Sequence, residues 1–380
     1  MAVWSPFSEH RTYLADQQRI EAFAAALGAV VRPGATVLDL GAGTGVLGIL
    51  ALRAGASRVV AVDGSAMLAV ARSIARANHL DDRITTIRAI STEVELPGPV
   101  DVVVADQLGP MGIEAGVFEY FADARRRLLA PDGVTVPRHV SIEAAPVAFG
   151  ELEESVAFWS RNPLGVDTDV VVALAANSRH VGTAPADSLL APPTRLAGAD
   201  PGDGADLLEG SATFTVARPG RLSGLAAWFV AELAPGIEMT NSPVAAGRID
   251  RDHALLPIGR PVEVAPGHTI EVSLLARPAS GTIRWRVTVL DGDGTTVTEA
   301  RHSTVEGEPL VREDLDRARP DAVPSLSRYG AARRTVLQAC DGERSIAEIG
   351  QLLDAEHHQI FDSPTSAAAF VIDVLRQSAT

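Results

Sequence analysis

The sequence predicts an α/β protein: a doubly wound parallel domain first, then a largely antiparallel β domain resembling a barrel or sandwich, then a small helical C-terminal domain. Three observations carry this. Residues 36 to about 136 alternate short apolar, β-branched runs with helical stretches, the pattern of a parallel sheet covered on both faces. After Pro137 the segments become β-rich, with Gly and Pro at their turns. From Ser325 onward they read as short helices around a CDGERS turn. The domains are placed at 1–137, 138–315 and 322–380.

In order along the chain, residues 10 to 31 read mainly as helix. TVLDLG, RVVAVDG, ITTIRAI and VDVVVAD follow as strands. GVLGILALRAG, SAMLAVARSIARAN and EYFADARRRLLAPDG are the helical stretches interleaved with and following them. HVSIEAAPVAF, ATFTVARPG, LSGLAAWFVAEL, PVEVAPGHTIEVSLLARP and TIRWRVTVLDGDG supply the second domain, and LAGADPGDGAD reads as a loop.

The composition narrows the function. The chain has 380 residues and a net charge of −15, from 33 basic and 48 acidic residues. Non-specific nucleic-acid binding depends on basic patches, so no nucleic-acid partner is expected. No apolar stretch approaches the ~18 residues of a membrane span, so no membrane partner is expected either. MAVWSPFSEHR lacks signal-peptide character, and a cytoplasmic location is expected. One cysteine, Cys340, excludes an intrachain disulfide and a multi-cysteine metal site; it is expected to be a small core residue. His357 and His358 are adjacent in sequence and do not share a helix face, so no metal site is expected.

VLDLGAGTGVLGI holds Gly41, Gly43 and Gly45 directly after an apolar run. A glycine turn between strand and helix lets backbone N–H groups approach a ligand closely. The spacing is G-x-G-x-G rather than the dinucleotide G-x-G-x-x-G, because Val46 stands in the third slot. That suits a ligand with no pyrophosphate. Asp39 ends the first strand; Asp63, followed by Gly64 and Ser65, ends the next, where a carboxylate can accept ribose hydroxyls. An NAD-type domain with a tight turn is the alternative.

These residues resemble the Rossmann-like core of class I S-adenosylmethionine-dependent methyltransferases. HRTYLADQQR narrows the likeness to protein arginine methyltransferases, where a His precedes an Arg by the same interval. The resemblance implies that Arg19 pairs with the cofactor carboxylate and that His10 lies over the cofactor. At ~100° per residue these positions are half a turn out of phase on one helix, so both reach one ligand only if the helix breaks between them. STEVELPGPVDVVVADQLG resembles the segment whose Glu bonds the adenine amine, which implies that role for Glu93. SGLAAWFVAEL and TNSPV resemble the family's barrel strands, with Trp228 and Phe229 read as core.

The family holds its target guanidinium between two glutamates. The matching loop, ADQLGPMGIEAG, offers Asp106 and Glu114, one residue closer together than usual. AAGRIDRDHALLP stands where the family carries a Thr-His-Trp loop and lacks that triplet; Asp252 and His253 are not assigned its role. The resemblance thus implies S-adenosyl-L-methionine as cofactor and methyl transfer to a protein or peptide side chain, with arginine favoured. An amine, alcohol or carboxylate acceptor, a small metabolite with a rebuilt pocket, and a cofactor-binding subunit without turnover are the alternatives. A homodimer through an arm within residues 155–195 is the family's implication. LSRYGAARRTVLQACDGERSIAEIGQLL looks like the helical part of PqqD-like winged-helix domains, which bind leader peptides by strand addition; a docking module without ligand is the alternative.

Overall fold

The computed structural model describes residues 6–309, 312–317 and 319–378. The chain divides into two compact units, 1–309 and 310–380.

The first unit begins with helices α1 (Pro6–Ala15) and α2 (Gln17–Val30). The break falls at Asp16, whose extended backbone stops α1 and whose carboxylate caps α2 by accepting from the Arg19 N–H. There follow β1 (Thr36–Leu40), α3 (Val46–Arg53), β2 (Arg58–Val62), α4 (Met67–Ala77), β3 (Ile84–Ile87), β4 (Val100–Val104), α5 (Val117–Arg127) and β5 (Leu129–Val136). The five strands form one parallel sheet in the order β3-β2-β1-β4-β5. The interior residues of β1, β2 and β4 are almost wholly buried, which is why their sequences read as continuous apolar runs rather than alternating ones.

Next come β6 (His139–Val147), α6 (Gly150–Ala157), α7 (Val170–Ala176), β7 (His180–Gly182), β8 (Thr194–Ala199), β9 (Leu208–Thr215), β10 (Gly220–Ala234), β11 (Ile237–Thr240), β12 (His253–Val264), β13 (Thr269–Arg277), β14 (Thr282–Leu290) and β15 (Thr296–Ser303). They make two antiparallel sheets. One has the order β7-β12-β10-β6-β8, with β11 also on β10; the other is β15-β14-β13-β9. Part of the segment read as a loop, Leu196–Ala199, is strand, because β8 pairs with β6 there. Trp228 and Phe229 on β10 are fully buried, and a single apolar core runs through the parallel sheet and both antiparallel ones. The Trp285 indole N–H donates to the Pro257 carbonyl at 2.7 Å, tying the two antiparallel sheets together. Within 150–178, Leu164, Val166 and Val170 are strongly exposed apolar side chains.

The second unit holds α8 (Arg312–Arg317), α9 (Arg328–Gln338), α10 (Ile346–Glu356) and α11 (Pro364–Ser378). Its core gathers Ala332, Val336, Leu353, Ala367 and Val371. Ser345 and Glu348 form a reciprocal cap at the start of α10. Cys340 is exposed, which corrects its reading as a core residue: Ala339 takes the buried position, and the Cys340 thiol donates back to the Val336 carbonyl at 3.2 Å. Strand addition of a peptide needs an open sheet edge; among the described residues of this unit there is none. No helix among the described residues is long and apolar enough to cross a membrane.

Candidate active site

The parallel sheet reverses its order between β1 and β4, and ligands of such sheets bind outside the strand C-termini at that point. Asp39, Asp63 and Asp106 stand at or just beyond the C-terminal ends of β1, β2 and β4. The glycine turn lies between the first two. Gly41, Gly43 and Gly45 have φ of +67°, +54° and +76°, a region that side-chain-bearing residues rarely adopt. Space enforces the same choice: a Cβ on Gly43 would lie 2.5 Å from the His10 ring, and one on Gly41 would lie 2.0 Å from the Gln107 amide. His10 therefore rests on the turn from above, and the break at Asp16 allows α1 to carry it there while α2 carries Arg19 inward.

Each carboxylate has a distinct setting. Asp63 accepts from the Gly43 N–H at 2.8 Å and the Ser65 N–H at 2.7 Å, which fixes its orientation at the turn. Asp39 is fully buried. One oxygen accepts from the Gly48 N–H at 2.9 Å, and the other has no hydrogen-bond partner. Burial pushes its carboxyl up to about 7, against the pull of the Gly48 N–H and of Arg19. A cavity of about 260 Å³ opens beside the turn, lined by Gly41, Asp63, Gly64, Ser91, Gln107 and Tyr120 among others. The Glu93 side chain is exposed, and Ser91 of the same short 3₁₀ turn lies on the cavity wall.

Asp106 sits in a different environment. Its side chain is 6% exposed and accepts from three donors. Arg19 Nε donates to Oδ2; Arg251 Nη1 and Nη2 donate to Oδ1 and Oδ2, each at 3.1 Å. Burial pushes the Asp106 carboxyl up, but Arg251 and Arg19 outweigh it and hold it below the usual carboxylate range. Arg19, expected to face the cofactor carboxylate, is turned toward Asp106 and also donates to the Tyr13 carbonyl at 3.1 Å. Glu114 folds back on its own loop, accepting from the Met111 N–H at 3.0 Å and the Ile113 N–H at 3.1 Å, and Arg179 reaches it at 3.2 Å. Gly109 makes room for it, since a Cβ there would lie 2.4 Å from Glu114 Oε2. Both carboxylates of the loop are thus matched by arginines of this chain.

The loop between Asp106 and Glu114 is held from the antiparallel sheet. Fully buried Asn241 donates to the Pro110 carbonyl at 3.0 Å and the Asp252 carbonyl at 2.8 Å and accepts from the Phe229 N–H at 3.1 Å. His253 is buried between the Ala184 N–H and the Asn241 carbonyl, and Asp252 accepts from the Thr183 hydroxyl. Both are structural. Arg251, Arg179 and Asn241 were not singled out from sequence. Arg251 lies within the very stretch that replaces the Thr-His-Trp loop, and that position was the one available signal.

S-adenosylmethionine fits this crevice on the structure's own terms. Gly41 and the fixed Asp63 carboxylate border the cavity beside the turn, where the ribose of a nucleoside would lie, and the positive φ of the three glycines keeps that turn free of side chains.

A family model described as ribosomal protein L11 methyltransferase (PrmA) matches residues 22–137. The probable protein arginine N-methyltransferase 6.1 of Oryza sativa subsp. indica is 33% identical over 175 residues, covering 45% of this chain and 46% of its own. The chain thus spans less than half the length of that relative. The arginine N(omega)-methyltransferase of Streptomyces achromogenes subsp. streptozoticus is 29% identical over 282 residues, covering 70% of this chain and 75% of its own. Among solved structures, Arabidopsis thaliana protein arginine methyltransferase 10 superposes with a TM-score of 0.67 at 22% identity, over 78% of this chain and 97% of that one. The Trypanosoma brucei PRMT1 enzyme-prozyme heterotetrameric complex with AdoHcy gives 0.70 at 20% identity, over 78% and 98%. The chain therefore has the fold of protein arginine methyltransferases, and its matches support an enzyme of the S-adenosylmethionine-dependent methyltransferase class with S-adenosylmethionine as cofactor.

Proposed function

We propose that the chain transfers a methyl group from S-adenosylmethionine to a guanidinium nitrogen of an arginine in a protein or peptide. The observation that supports the acceptor is the setting of Asp106: a buried, ionised carboxylate beside the cofactor crevice, already shaped to take a guanidinium fork. The names of the relatives point the same way.

The bound cofactor supplies an electrophilic methyl group on a sulfonium. The residues of the chain do the rest. His10, the glycine turn and Asp63 fix the nucleoside, and Asp39 braces the turn from below by accepting from the Gly48 N–H. Asp106 orients the guanidinium and draws its positive charge away from the reacting nitrogen. A carboxyl held below its usual range orients well and is a poor terminal proton acceptor. Glu114 braces the loop, through the Met111 and Ile113 N–H groups, rather than meeting the acceptor. The exposed apolar segment within 150–178 is proposed as the homodimer contact; sedimentation of a Leu164→Glu variant as a monomer would support it.

Methyl-labelled cofactor, an arginine peptide, a lysine peptide and free arginine, read by mass spectrometry, test the reaction. Label is expected on guanidinium nitrogen in the arginine peptide. Label confined to lysine, or to free arginine alone, contradicts the acceptor assignment.

A further inference from the structure

Arg251 has no counterpart in what the proposed chemistry needs. Its two terminal nitrogens meet the two oxygens of Asp106 in a parallel fork, each at 3.1 Å. That is the geometry by which a carboxylate recognises a guanidinium. Nη1 also donates to the Leu108 carbonyl at 2.7 Å. The guanidinium carbon lies 5.8 Å from the centroids of both the Tyr13 and Phe229 rings, a favourable placement for a cation over aromatic faces. Carboxylate, carbonyl and two rings together make a guanidinium seat, and a guanidinium of the chain is in it.

The seat cannot serve two occupants. An ionised carboxylate has about four acceptor positions; three are taken, one by Arg19 and two by Arg251. An arriving guanidinium therefore cannot form its own fork on Asp106 while Arg251 remains. The backbone around Arg251 is pinned on both sides: the Asp250 N–H donates to Asp16 at 2.8 Å, and the Asp252 carbonyl accepts from Asn241 at 2.8 Å. Release of the seat is thus a movement of one side chain. Asp106 would keep Arg19 as counterion afterwards, so the seat survives its occupant's departure.

We infer that Arg251 is a built-in competitor at this site: a resident guanidinium on Asp106 that an acceptor must displace. The inference rests on the guanidinium acceptor proposed above. The apparent affinity for any acceptor is reduced by the fraction of molecules in which the seat is open. A bare guanidine competes poorly with a tethered one. A productive acceptor brings additional contacts from outside the seat.

The test uses the full chain, with an arginine peptide and free arginine as acceptors, and the variants Arg251→Met and Arg251→Lys. Met fills the space between the rings without charge; Lys keeps the charge and gives up the fork. For Arg251→Met, KM for both acceptors is expected to fall at least about tenfold, ~1.4 kcal/mol, with more of the change in KM than in kcat. For Arg251→Lys the fall is in the same direction and smaller. A merely structural arginine would leave KM unchanged or raise it, and that result in both variants overturns the inference. Calorimetric titration of the arginine peptide in the presence of S-adenosylhomocysteine separates the two claims. Tighter binding to Arg251→Met with no methylation by either protein sustains the resident-guanidinium inference and removes the acceptor assignment. Methylation by the wild type with no gain in binding or KM in either variant does the reverse.

Discussion

The proposed methyl-donor side and the proposed acceptor side of the crevice lie at the same sheet edge but are built differently. On the donor side, the Asp63 carboxylate is fixed by the Gly43 and Ser65 N–H groups, residues of the turn itself and of the chain just beyond it. On the acceptor side, Asp106 is fixed by side chains from α2 and from the segment before β12, 87 and 145 residues away in sequence. Local backbone geometry shapes the first; long-range charge pairing shapes the second. A site of the first kind keeps its form while the residues around it change. The second depends on each remote partner, Arg19 and Arg251.

The largest expected effect falls on the acceptor side. Asp106→Asn removes the carboxylate that bonds both Arg19 and Arg251; turnover should drop by about 10² to 10³, read as the initial rate of labelled methyl transfer. The same change leaves two buried guanidiniums without a counterion, costing about 3 kcal/mol of stability, which a chemical denaturation curve would show. An unchanged rate would remove Asp106 from the reaction.

Gly43→Ala probes the donor side. The Cβ clash with His10 and the positive φ both oppose it, and cofactor affinity should fall by roughly tenfold or more in a calorimetric titration. Wild-type affinity would mean that His10 does not close over the turn.

Gly109→Ala strikes the loop that joins the two sides. Its Cβ would lie 2.4 Å from Glu114 Oε2 and 2.7 Å from Glu114 Cβ, so a loss of about 1–3 kcal/mol is expected, visible as a lowered melting temperature. No loss would show that the Glu114 brace is dispensable.

Asp39 gives a pH signature. Burial pushes its carboxyl up to about 7, so the folded chain holds a proton that the unfolded chain releases in the ordinary carboxylate range. This group's contribution therefore makes stability fall as pH rises from about 4 to about 7, and the cost is fully present above that. Asp39→Asn cannot ionise. Melting curves across that window should show a shallower fall for the variant than for the wild type; parallel curves would contradict a raised Asp39.

The pattern of what sequence reveals follows the same division. The glycine turn, Asp39, Asp63 and the helix break between His10 and Arg19 are local, and their placement is legible at fixed short spacings. The Trp228–Phe229 core pair is legible too, from a long apolar strand. The direction of Glu93 is not legible, because a three-residue 3₁₀ turn gives no periodicity by which to phase a side chain. Arg251 and Arg179 are invisible because nothing local marks an arginine that will pair 145 or 65 residues away. Cys340 is misread because a residue at a helix end can face either way with the same neighbours.

The separation of the two sides is tested most directly by titrating S-adenosylmethionine into Asp106→Asn and wild type under identical conditions. Affinity retained within about threefold, alongside the loss of turnover, is the expected result. Affinity lost in step with turnover would place the Arg19–Asp106 pair in the donor site and contradict the division.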